Sequence, residues 1–202
     1  MSFSQCIIVL LAYCIGAIPF GLVVSRRSGI DIRTQGSKNI GATNVARLLG
    51  KKYGAMTLAG DLLKGLLPIW LAALLVQGQP NEHLVLVLCG AATVLGHMFP
   101  VYLGFKGGKG VATALGLFLY LSPLAIVGCL LVFLGAVGVS GFVSLGSLLA
   151  SASMIAFLIL LHAPLWKVVL ACGIVTMIWL KHHQNIDRLL DGSEKSWKKS
   201  CG

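Results

Sequence analysis

The chain has 202 residues, 57% of them hydrophobic and 11% charged, with a formal net charge of +10. Soluble domains carry roughly twice that charged fraction, so the composition excludes a soluble fold and points to an integral membrane protein. Each crossing needs about 20 apolar residues, which leaves room for one domain over residues 1–202 and none for a separate soluble module.

The N-terminal stretch MSFSQCIIVLLAYCIGAIPFG has no basic residue before its apolar run. A secretory signal starts with a positive region, so the stretch reads as a retained first span, from about Phe3 to Ser25. The hydrophilic segment Arg26 to Gly54 carries Arg26, Arg27, Arg33, Lys38, Arg47, Lys51 and Lys52 against Asp31, with a short helix expected over Val45 to Leu49. The positive-inside rule puts this loop in the cytoplasm and the N-terminus outside. A second span runs from about Ala55 to Gln77, and the turn GQPNEH, without lysine or arginine, reads as outside. The third, Leu84 to Leu103, returns to the cytoplasm and delivers GFKGGKG there.

Beyond Gly110 the apolar sequence is punctuated only by Ser122-Pro123, VSGFVS (Val139 to Ser144) and HAP (His162 to Pro164). The tail, with Lys181, Arg188, Lys195, Lys198 and Lys199, reads as cytoplasmic. A cytoplasmic start and end require an even number of crossings. Four fit all three breaks: Val111 to Leu121, Pro123 to Val139, Phe142 to Leu161 and Leu165 to Leu180. The expectation is therefore an all-α membrane protein of seven transmembrane helices, with five as the alternative. Val111 to Leu121 covers about half a bilayer at about 1.5 Å per residue, so it must tilt among neighbours or sit in thinned membrane. The same parity brings the first loop, GFKGGKG, VSLGS and the tail to one membrane face.

The excess of positive charge would suggest nucleic acid in a soluble protein. Here it clusters between spans, where topology and anionic headgroups account for it. Of Cys6, Cys14, Cys89, Cys129, Cys172 and Cys201, five sit in apolar runs and none forms C-x-x-C, so neither metal nor disulfide is expected.

Four polar stretches can carry chemistry. In GFKGGKGVAT (Gly104 to Thr113), glycines let backbone N–H groups turn toward one anion, and a helix starting near Gly110 adds orphan donors beside Lys109. That is a phosphate cradle without the spacing of a Walker A loop; the bland alternative is a flexible turn with snorkelling lysines, and Lys106 reads as such an anchor. In GSKNIGATNVAR, Ser37, Asn39, Thr43 and Asn44 can donate to phosphate oxygens and Arg47 can clamp them; the alternative is an N-capping turn. Ser144 and Ser147 in VSLGS share a helix face, though serines in membrane helices usually satisfy backbone. In KHHQNIDRLLDGSE, His182, His183 and Asn185 stand where the last helix leaves the membrane. His182 and Asp187 match the H-x-x-x-x-D pattern of thioester-using acyltransferases, but on a continuous helix they point about 140° apart, so the match reads as coincidence. His97 in GHMFP lies just before the glycine cluster and can help position it; Asp61 and Lys64, three apart, read as an interface-level ion pair.

Taken together, GSKNIGATNVARLLGKKYG, GHMFPVYLGFKGGKGVATALG, VSLGS and HHQNIDRLLDGSE resemble the bacterial membrane acyl-phosphate:glycerol-3-phosphate acyltransferases, in order over almost the whole chain. The resemblance implies a compact helical bundle in the bacterial inner membrane with its active site on the cytoplasmic face. It implies transfer of a fatty acyl group from acyl phosphate to the 1-hydroxyl of glycerol 3-phosphate, the first acylation of phospholipid synthesis, with no cofactor or metal. Partners would be the two substrates and membrane lipid, no nucleic acid, and functional coupling to the enzyme that makes acyl phosphate. Ser37, Arg47, Lys109, Ser147, His182 and Asn185 match positions around glycerol 3-phosphate, and Lys109, Arg47, Ser37, Asn185 and His182 are the candidate catalytic groups. Gly41, Thr43, Asn44, Gly107, Gly108, Gly110 and Thr113 match segments that receive the acyl phosphate, while Asn39 and Ser144 join the binding set from their place in the polar turns. The competing classes are a transporter of anionic metabolites, a membrane scaffold and a thioester-dependent acyltransferase.

Overall fold

A computed structural model describes residues 1–197. Lys198, Lys199 and Cys201 lie outside the described residues. The described chain is helical, without strands, and it divides into two units, residues 1–120 and 121–202.

The first unit opens with α1 (Phe3–Gly16), whose N-terminus carries a reciprocal cap: the Gln5 N–H donates to Ser2 Oγ and the Ser2 N–H to Gln5 Oε1. The same Gln5 amide donates to the Pro80 carbonyl (3.1 Å), tying the start of α1 to the turn between α4 (Lys51–Val76) and α5 (Glu82–Met98). The first span is not one straight helix. It stops at Gly16 and resumes as α2 (Phe20–Ser25) behind Pro19, which has no N–H to continue the ladder. The loop helix α3 (Ala42–Leu49) starts three residues before its expected position. Helix α4 begins at Lys51 rather than Ala55, so its first turn is charged. Pro68 lies inside α4 without ending it.

Helix α6 (Val111–Leu121) has the expected bounds. It packs on α4 at backbone distance: a Cβ at Gly65 would fall 2.0 Å from the Thr113 carbonyl oxygen, and one at Gly116 would fall 2.0 Å from that of Leu62. Only hydrogen at both positions permits the approach.

The second unit contains α7 (Pro123–Ser140), α8 (Val143–Leu160), α9 (Leu165–Lys181) and α10 (His183–Leu190). Helices α7 and α8 form a hairpin that turns at Gly141, whose φ of 78° is left-handed. The C-terminal tail crosses this turn, with the Trp197 N–H donating to the Gly141 carbonyl (2.8 Å).

Among the described residues, five helical segments are long and apolar enough to cross a membrane: 3–28, 51–76, 82–103, 123–140 and 143–160. Helices α9 and α10, bent by 58° at their junction, make a sixth candidate, and α6 is a shorter apolar helix. Wide exposure of leucine, valine and phenylalanine on these helices, such as Leu74, Leu131 and Val139, marks a surface made for lipid. The fold defines a multi-pass helical membrane protein.

Candidate functional site

In the first unit the loop before α3 encloses its own small apolar core. Ile32, Ile40 and Val45 are buried together, and Leu22, Ile30, Leu48, Leu49 and Leu103 pack against them. Leu103 lies just ahead of the glycine cluster, so this packing draws the first loop and the glycine turn to the same end of the unit.

Asn44 closes the loop. Its Nδ2 donates to the carbonyls of Ile32 (2.9 Å) and Asn39 (2.9 Å), with a longer contact to Gln35 (3.3 Å), and its Oδ1 accepts the Ser37 N–H (2.8 Å). The side chain is buried and its amide serves the backbone, which places Ser37 rather than meeting a ligand. Asn39 Oδ1 accepts the Gly41 N–H (2.9 Å) in an Asx turn that opens α3. Gly41 is the N-cap residue, Ala42 and Thr43 follow in the first turn, and Arg47 stands one turn further along. Ser37, Thr43 and Arg47 are half-buried.

The glycine turn is built against the C-terminal end of α5. The Gly107 N–H donates to the Met98 carbonyl (3.3 Å) and the Gly108 N–H to the His97 carbonyl (3.0 Å). These two N–H groups therefore face α5 rather than an anion. The donors left for an anion are those of the first turn of α6, which have no partner within their own helix. Gly110, at φ 83°, turns the chain into that helix, and Lys109 stands half-buried just before it. Lys106 is exposed. Thr113 is fully buried, and no hydrogen-bond partner is found for its Oγ1.

Beneath the turn lies a charged group within the membrane-spanning part. Lys64 Nζ is 2.8 Å from Asp61 Oδ1 and donates to the Ile18 carbonyl (2.7 Å) at the α1–α2 break. His97 Nδ1 lies 3.5 Å from the same Asp61 oxygen, an ion-pair approach longer than a hydrogen bond. All three side chains are buried, so the expected interface-level pair is an interior cluster.

In the second unit VSLGS and the tail meet on one carboxylate. Ser144 Oγ and Asn185 Nδ2 each donate to Glu194 Oε1 at 2.7 Å, and Arg188 Nε donates to Oε2 at 2.7 Å. Burial pushes the Glu194 carboxyl up, but the donors from Ser144, Arg188 and Asn185, with the Arg188 charge, bring it below the usual carboxylate range. Glu194 and Arg188 were not singled out from the sequence as site residues. Asp187, Asp191 and Glu194 share that basic tail, and no local pattern set Glu194 apart. Ser147, buried on the same helix, donates to the Val143 carbonyl one turn back. His182 sits at the bend between α9 and α10, its Nδ1 2.8 Å from the Ile178 carbonyl. The helix breaks at His182, so the continuous-helix argument against an H-x-x-x-x-D pair does not apply here; His182 is buried and Asp187 exposed. His183 is exposed.

The first-unit candidates thus gather around two turns held at one end; in the second unit Ser144 and Asn185 meet on Glu194, while Ser147 and His182 each pair with a backbone carbonyl one turn back. Among the described residues there is no cluster of histidine, cysteine, aspartate or glutamate with metal-binding geometry. This is a polytopic membrane protein with small, glycine- and hydroxyl-rich polar turns, and comparison with known proteins narrows the class. The glycerol-3-phosphate acyltransferase family model matches residues 6–192. A glycerol-3-phosphate acyltransferase from Desulfotalea psychrophila is 57% identical over 190 residues, covering 94% of this chain and 96% of that protein. One from Aquifex aeolicus is 44% identical, covering 93% and 96%. The crystal structure of PlsY (YgiH), an integral membrane glycerol 3-phosphate acyltransferase, in its glycerol 3-phosphate form, superposes with a TM-score of 0.90 at 43% identity, over 96% of this chain and 95% of that one. Its lysophosphatidic acid form superposes with a TM-score of 0.88. The chain belongs to the glycerol-3-phosphate acyltransferase family, and it is an acyltransferase.

Proposed function

We propose that the protein transfers a fatty acyl group from acyl phosphate to the 1-hydroxyl of glycerol 3-phosphate. The hydroxyl oxygen attacks the acyl carbonyl carbon, the carbon–oxygen bond to phosphate breaks, and the products are 1-acyl-glycerol 3-phosphate and inorganic phosphate. The hydroxyl proton passes to a substrate phosphate oxygen. An acyl phosphate is already an activated mixed anhydride, so the protein's work is positioning and charge stabilisation. Two phosphates in one site repel each other, and Arg47, Lys109 and the first turns of α3 and α6 supply the offsetting charge and N–H donors. Ser37, Thr43, Gly110 and Thr113 line these turns, with Asn39, Gly41, Asn44, Gly107 and Gly108 shaping them. Ser144, Ser147, His182 and Asn185 contribute to the glycerol 3-phosphate side.

We read the chain as one functional domain in the bacterial inner membrane with seven crossings. Helices α6 and α9 complete the five long spans, the N-terminus lies outside, and the polar turns face the cytoplasm. The observation that carries the reading is the glycine turn. The Gly107 and Gly108 N–H groups are anchored on the end of α5, which holds the chain just ahead of Lys109 and the start of α6. The test is purified protein with glycerol 3-phosphate and either palmitoyl phosphate or palmitoyl-coenzyme A. Lysophosphatidic acid formed from palmitoyl phosphate alone is the expected result. Product from the thioester alone would overturn the donor assignment.

A further inference from the structure

The buried cluster of His97, Asp61 and Lys64 is outside the groups that meet substrate in the reaction above. Three charged or chargeable side chains buried inside the protein are costly unless they are paired. Pairing is present: Asp61 sits between Lys64 and His97, and Lys64 is further held by the Ile18 carbonyl. The question is what the third member does, since Asp61 and Lys64 already neutralise each other.

His97 touches the glycine turn twice. Its backbone carbonyl accepts the Gly108 N–H at 3.0 Å. Its ring lies directly against the Gly108 Cα, so that a Cβ there would fall 2.1 Å from Nε2. Gly108 has an ordinary backbone conformation; the imidazole, not φ, is what keeps the position bare. The next residue is Lys109. We propose that His97, oriented by the Asp61–Lys64 pair, is a positioning residue that sets the seat of the glycine turn and thereby the placement of Lys109. The inference rests on the acyl-phosphate reading given above. Its mechanical content is specific. One edge of the imidazole faces Asp61 of α4 at 3.5 Å and the other lies against Gly108, so the turn takes its position from α4 as well as from α5. Misplacing a catalytic charge by about 1 Å costs on the order of a hundredfold in rate, so such a support belongs under a phosphate ligand rather than under a spacer.

A double-mutant cycle between His97→Asn and Lys109→Ala, read as kcat/KM with palmitoyl phosphate and glycerol 3-phosphate, tests this. His97→Asn alone should lower kcat/KM about tenfold, mainly through kcat because Lys109 is read as a transition-state contact, with KM changed less than about threefold. In the Lys109→Ala background the same substitution should lower it less than about twofold, because the group being positioned is already gone. Additive losses in the double variant, or wild-type kinetics in His97→Asn, would overturn the inference. If His97→Asn does not fold, Gly108→Ala perturbs the same contact from the other side. It should show the same fall in kcat and the same loss of effect once Lys109 is removed, and wild-type kinetics there would overturn the inference too. Wild-type protein inactive with palmitoyl phosphate would overturn the acyl-phosphate reading itself, and the inference with it. An active wild type with an uncoupled cycle removes the inference alone.

Discussion

In the first unit the candidate groups stand on a frame of backbone and amide bonds: Gly107 and Gly108 donate to α5 carbonyls, and Asn44 stitches Ile32, Ser37 and Asn39 into one turn. In the second unit Ser144, Asn185 and Arg188 are held by a single ionised side chain, Glu194. The bonds of the first arrangement run between backbone and amide groups, which do not titrate. The second keeps its shape only while the carboxylate is charged. Cations that must meet dianionic phosphate gain from a frame that is indifferent to charge.

The largest effect that would sharpen this contrast comes from the ligand group rather than the frame. Lys109→Ala should remove one charged transition-state contact, on the order of 3 kcal/mol or about a hundredfold in kcat/KM, in protein that melts like wild type. Near-normal turnover in an acyl-phosphate assay would remove the phosphate cradle from the first unit. The frame comes next. Asn44→Ala strands a buried N–H at Ser37 and carbonyls at Ile32 and Asn39, and should destabilise by about 2 kcal/mol. A thermal melt together with hydrogen exchange confined to residues 32–44 would register it. An unchanged melt would mean that the apolar core of Ile32, Ile40 and Val45 holds the loop unaided.

The second unit should answer to acid through Glu194. Glu194 titrates below the usual glutamate range when folded, so its contribution is present above the unfolded value and is lost as pH falls through the folded one. Stability near neutral pH should therefore be flat in this respect, with loosening of the VSLGS segment and the tail only in acid. Glu194→Gln should erase that acid step in a pH series of melts. An identical acid step in the variant would assign it to another carboxylate. The smallest effect is a control in the first loop. Asp31 and Arg33 pair at 2.9 Å, and the Arg33 partner lowers the Asp31 pKa, yet Arg33 is exposed and Asp31 only half-buried. Asp31→Asn should leave melting and activity unchanged, since exposed pairs are screened by solvent.

Much of this architecture was readable from apolar runs and their punctuation, because lipid requires each crossing to be a continuous hydrogen-bonded helix. Val111 to Leu121 was bounded by Gly110 and Ser122-Pro123, and the helix keeps those bounds. Lys51 and Lys52 read as loop since they are charged, but α4 runs through them. The break at Pro19 was hidden by unbroken apolarity on both sides. At the site, residue types indicated which turns matter but not where each donor points. Asn44 looked like a phosphate donor, and only the folded loop directs its amide to three carbonyls. Ser144 and Glu194 lie 50 positions apart, and His97 and Asp61 lie 36 apart in the chain, separations at which no local pattern signals a contact.

The close seat of α6 on α4 also makes the chain from Lys109 to Gly116 a ruler. Thr113 and Gly116 are two marks on it, each fixed where α6 touches Gly65 and Leu62. One residue added between Gly110 and Thr113 would rotate the rest of α6 by about 100° against its start. The helix would then either swing Gly116 away from α4 or drag Lys109 off the end of α5. Chemistry at one end and packing at the other are thus measured by the same few residues, and neither can be moved without resetting the other.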